Sequence, residues 1–138
     1  MHRLKYQGIR PAAGLLAERM AEVLDGIAGS LVPVRRVLLR TWKYGVDPGL
    51  ELTRALASVT GLELVDVLRR PLWAPVHAGT RRDSRGVVRF GAGPIPPGRL
   101  ILVDDVLTTG STLWAARQAA GESAGYAVTA TSAGRVVV

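Results

Sequence analysis

Two adjacent carboxylates, Asp104 and Asp105, follow four apolar residues, Leu100–Val103, and precede a turn rich in hydroxyls, Thr108-Thr109-Gly110-Ser111-Thr112. The chemistry this order supports is the holding of a phosphorylated sugar. Backbone N–H groups at a turn that leads into a helix point at an anion, and the helix dipole favours negative charge there. The hydroxyls of Thr108, Thr109, Ser111 and Thr112 can donate to phosphate oxygens, and Val106 and Leu107 complete the run. Ionised carboxylates only accept hydrogen bonds. Asp104 and Asp105 therefore suit sugar hydroxyls or a hydrated Mg²⁺ rather than phosphate itself. Ordinary helix capping explains part of the pattern, since Ser, Thr and Asp are preferred caps. Two aspartates, then four hydroxyls and a glycine within nine positions, exceed what a cap needs.

These residues need a rigid mount, and the flanking sequence supplies one. Leu100–Val103 is the short continuous apolar run of a strand buried on both faces, and residues 111–120 read as a helix. Pro11–Leu24 places apolar residues at helical spacing, with Gly26 just past its end. Ser30–Val34 reads as a strand whose Pro33 marks its end. Asp47-Pro48 reads as an N-cap with proline at the first helical position, opening a helix to about Val59 that Gly61 stops. Leu62–Leu68 alternates as a strand, Val87–Phe90 is a possible strand, and Ala127–Thr131 with Val136–Val138 is expected to supply one or two closing strands. Strands alternating with helices predict an α/β fold with a mostly parallel sheet of about four to five strands flanked by helices. Ligands in such sheets sit at the carboxyl ends of the strands, where the acidic pair lies.

The string Val103–Thr112 resembles the phosphoribosyl pyrophosphate (PRPP) signature of type I phosphoribosyltransferases. Other segments resemble the ComF-like branch of that superfamily. Leu4-Lys5-Tyr6-Gln7-Gly8 looks like its "LKYxG" start, and Leu31-Val32-Pro33-Val34 like its "VPVP" strand end. The resemblance spans nearly the whole chain and implies one phosphoribosyltransferase-like domain over 1–138, without the N-terminal zinc-binding segment of longer members. It implies PRPP binding by Asp104 to Thr112, with Mg²⁺ held by Asp104 and Asp105 through water. Pyrophosphate would meet Arg35 and Arg36, and Arg85 would match the family's loop arginine if His77 stands on the usual Gln. With Asp104, Asp105 and Arg85 catalytic, the implied reaction moves ribose 5-phosphate from PRPP to a nitrogen of a small nucleobase or amine, releasing pyrophosphate. A homodimer is a further implication.

The chain also departs from that pattern. Thr108 stands where many relatives have an acidic base, Val88 replaces an Asn, and Tyr44-Gly45-Val46-Asp47-Pro48 replaces "RGFNQ". A second expectation is therefore a non-catalytic PRPP or nucleotide sensor, associated with competence and DNA uptake. Composition is consistent with either. Lys and Arg number 18 against 11 Asp and Glu, a net +7 that suits pyrophosphate or nucleic acid. The chain has no cysteine, which excludes disulfides and Cys-based metal or nucleophile chemistry. No apolar run approaches the roughly 18 residues of a membrane span, and no signal-like segment opens the chain, so a cytoplasmic protein is expected. Residues 71–98 are long for a connection and rich in Pro, Gly and Arg, among them Arg81 and Arg82, and their part 71–90 suits a loop that excludes water. Of the three tryptophans, Trp114 is expected in the core, and Trp73 is a candidate cover for a bound base.

Overall fold

The computed structural model describes residues 9–35, 45, 47–69, 90–105, 110–130 and 135–136. Its elements are α1 (Ile9–Val23), β1 (Ser30–Pro33), α2 (Pro48–Thr60), β2 (Leu68–Arg69), β3 (Gly91–Ala92), β4 (Leu100–Asp104), α3 (Ser111–Ala120), a 3₁₀ turn (Gly121–Ser123), β5 (Ala124–Thr129) and β6 (Arg135–Val136). The main sheet has the order β1-β4-β5-β6. β1, β4 and β5 run parallel, and β6 closes one side antiparallel to β5. The α/β class expected from the alternation of strands and helices is present, with three parallel strands at its centre. No helix among the described residues is long and apolar enough to cross a membrane.

Period-two alternation along the strands sorts their side chains onto two faces. Leu31, Ile101 and Val103 pack against Ala17, Met20 and Leu24 of α1 and the turn after it, and against Leu52 and Leu56 of α2. Val32, Val34, Leu100 and Leu102 pack on the other face against Leu113, Ala116 and Ala120 of α3. Every residue of β4 is buried, as its unbroken apolar run requires. Val67 and Leu68 join the second cluster, so the small β2–β3 pair lies on the α3 side.

The helix starting at Pro48 forms as expected. The Asp47 carboxylate accepts from the Leu50 N–H at 3.2 Å, and Gly61, at φ 74°, closes the helix with its N–H on the Ala57 carbonyl. Three expectations change. Leu62–Leu68 is not a full strand but makes one parallel bridge, Leu64 to Leu31. The Leu31 N–H donates to the Glu63 carbonyl, and the Val65 N–H donates to the Leu31 carbonyl. The next donor in this ladder would be residue 33, a proline without an N–H, so pairing stops and the chain turns off toward β2. A short strand not expected there lies at Gly91–Ala92, where Gly91 faces Arg69; of the strand expected at Val87–Phe90, Phe90 precedes this strand and residues 87–89 lie outside the described residues. β5 begins at Ala124, three residues before its expected start, because a register shift follows the Leu100–Ala124 pair. Ala124 and Ala127 both reach the α3 face while Tyr126 packs on the other. That arrangement breaks the alternation a sequence reading depends on.

Candidate functional site

β1 and β4 are neighbours, yet their crossovers diverge. The chain leaving β1 passes through α2 on one face of the sheet and returns on the outer side of β1. The chain leaving β4 passes through α3 on the other face to β5. The carboxyl ends of β1 and β4 therefore flank a topological switch point, the crevice where ligands bind in open parallel sheets. The Val34 N–H donates to the Val103 carbonyl at 2.9 Å, holding the two strand ends side by side.

Asp104 is the last residue of β4 and only 2% exposed. Its parity with Leu100 and Leu102 puts it on the α3 face, beside its register partner Thr129 of β5, which is also buried. The Asp104 Oδ1 accepts from the Asp105 N–H at 2.8 Å, which fixes the carboxylate and the direction of the following bend. Asp105 is half-buried. Five positions on, Gly110 opens α3 at φ 75°, a left-handed conformation that a glycine adopts without strain. The N-cap residue, Gly110, brings no side chain of its own to cap α3, and the first turn of the helix holds no acidic residue. At α2, by contrast, Asp47 fills that role. Ser111 is exposed and Thr112 half-buried at the start of α3. The structure thus brings Asp104, Asp105, Gly110, Ser111 and Thr112 to one strand-to-helix passage. Val106, Leu107, Thr108 and Thr109, which connect them, lie outside the described residues.

Arg35 follows β1 on the α2 side of the crevice. Its Nη2 meets Asp66 Oδ2 at 2.7 Å, and its Nε lies 3.7 Å from Asp47 Oδ2. The expected pyrophosphate arginine therefore already has two acidic neighbours, neither of which the sequence reading singled out as site residues. Asp47 was legible as a helix cap, whereas Asp66 carries no motif that points to Arg35. Thr129 is a further residue the reading missed; only its pairing with Asp104 reveals it. Arg36, Arg81, Arg82, Arg85, His77, Trp42 and Trp73 lie outside the described residues. Trp114 is not in the core. It is 60% exposed, because the buried stripe of α3 runs through Leu113, Ala116 and Ala120, and the Arg117 guanidinium stacks on its ring at 5.5 Å.

Among the described residues, no group of three or more His, Asp or Glu stands ready to hold a metal. Two adjacent carboxylates fit the way Mg²⁺ is usually held, by one or two carboxylates, several waters and the phosphates of its substrate. Comparison with protein-family models, with curated proteins and with solved structures finds no match for the chain.

Proposed function

We propose that this chain binds PRPP at the switch point between β1 and β4, as a type I phosphoribosyltransferase-like protein. The observation that carries the proposal is the junction of a buried strand-end aspartate, Asp104, with a helix that opens on a glycine and has no acidic residue in its first turn. A sugar phosphate needs both. Its phosphate takes the N–H groups at the start of α3 with the hydroxyls of Thr108, Thr109, Ser111 and Thr112, and its ribose hydroxyls donate to Asp104 and Asp105. Mg²⁺, held through water by Asp104 and Asp105, would offset the charge of pyrophosphate. By the resemblance, Arg35 and Arg36, which follow β1 in the sequence, would meet that group. Substitution at the anomeric carbon proceeds with oxocarbenium character, so holding the ribose fixed and dry is what the protein contributes. By the resemblance, residues 71–90 would cover it and Arg85 would meet the leaving group.

Thr108, where an acidic base is usual in the family, favours a second reading in which PRPP is bound and sensed without being consumed. Calorimetric titration with PRPP and Mg²⁺ tests the shared claim: saturable binding is expected, and its absence would sink both readings. Pyrophosphate release with a panel of nucleobases and amines then separates enzyme from sensor. The double variant Asp104→Asn, Asp105→Asn is expected to lose Mg²⁺-dependent PRPP affinity while remaining folded by circular dichroism. Wild-type affinity in that folded variant would refute the site.

A further inference from the structure

Arg35 has one positive charge and two carboxylates around it, and the two differ in kind. Asp47 is 8% exposed and has a second task, since its other oxygen caps α2. Asp66 is 39% exposed, lies just past the single bridge that ties its segment to β1, and meets Arg35 at the shorter distance of 2.7 Å. Arg35 itself keeps 32% of its side chain exposed, so solvent reaches the pair. Nε and Nη2 share one edge of the planar guanidinium, and that edge faces the two acids. The Nε is buried and has no hydrogen-bond partner among the described residues, so Asp47 neutralises this nitrogen without bonding it.

We infer that Asp66 is an exchangeable counter-ion: it occupies the guanidinium nitrogen that an entering polyphosphate needs, and gives way when that anion binds. This deepens the reading above and rests on it, for it takes the anion at the end of β1 to be the pyrophosphate moiety. An arginine flanked by two fixed carboxylates carries a local net charge of −1 and would repel such a ligand. An exposed carboxylate can swing into water and lose little, because exposed ion pairs contribute weakly. A buried one that also starts a helix cannot. Asp47 therefore stays as the anchor that holds the guanidinium, and Asp66 sets how tightly the anion is held.

The test is calorimetric titration of the full chain with inorganic pyrophosphate and Mg²⁺, with ribose 5-phosphate as a separate ligand. Asp66→Asn is expected to bind pyrophosphate about fivefold more tightly than wild type, the order of one exposed charge pair removed. In an Arg35→Gln background the same substitution should change nothing. An unchanged or weaker affinity in Asp66→Asn overturns the inference, and so does an equal gain without Arg35, which would mark a general charge effect. Failure of both wild type and Asp66→Asn to bind pyrophosphate overturns it too. Ribose 5-phosphate reports on the parent reading alone: its loss from wild type would count against the sugar-phosphate site, whereas its retention beside a failed pyrophosphate result would confine the failure to Asp66.

Discussion

Asp47 shows how one side chain can join local and tertiary structure. Its Oδ1 receives the Leu50 N–H, and its Oδ2 faces Arg35 from the adjacent strand end. Removing it should release both contacts. Asp47→Ala is expected to destabilise the protein by about 1–2 kcal/mol, whereas Asp47→Asn, which still caps, should lose clearly less. Denaturant midpoints at constant m-value would measure this, and equal losses in the two variants would show that the charge matters more than the cap. At this scale the sequence was informative where chemistry is local. The acidic pair and the capping Asp-Pro are recognisable from neighbours along the chain. The Arg35–Asp66 pair is not, because its partners lie far apart in sequence and ion pairs carry no periodicity. Trp114 was misplaced for a related reason: size and apolarity suggested burial, but the helical stripe through Leu113 and Ala116 leaves it outside.

Secondary-structure elements were legible wherever a pattern ran for several residues and hard to see where one residue broke it. The three helices among the described residues and the central strand follow from apolar spacing and from Asp, Pro and Gly at their ends. Pro33 cut short the pairing of 62–66 by removing a donor, and the irregularity at Gly125 moved the start of β5, neither of which alternation can report. Two glycines make this testable. A Cβ at Gly29 would stand 2.7 Å from the Arg99 carbonyl oxygen, a backbone atom fixed by the neighbouring strand. A Cβ at Gly125 would meet the Arg99 side chain at 2.5 Å, but that side chain is exposed and can swing away. Gly29→Ala is therefore expected to cost about 1–3 kcal/mol, as overpacking does. Gly125→Ala should cost less, mainly the stacking of Arg99 over Tyr126 and its hydrogen bond to the phenol. Thermal denaturation of the two variants would order them, and the reverse order would contradict the packing described.

Over the whole molecule, one sheet serves two cores. Ile101 belongs to the core under α1 and α2, and its neighbour Leu102 to the core under α3. Both side chains are fully buried, so Ile101→Ala and Leu102→Ala are each expected to lose about 2–5 kcal/mol. That is a large share of the roughly 5–15 kcal/mol a domain commonly has. A loss below about 1 kcal/mol in either variant, read from chemical denaturation, would mean that the corresponding face is not truly packed. The overall architecture was legible in the order of strands and helices, but the crevice was not, since a switch point depends on which strands become neighbours. β4 is that neighbour to both β1 and β5, with helices over each face. Interior strands of this kind tend to be the last to open in a folded protein. Asp104 is thus rooted in the most persistent part of the architecture, and breathing motions that loosen the periphery leave its carboxylate aimed as before.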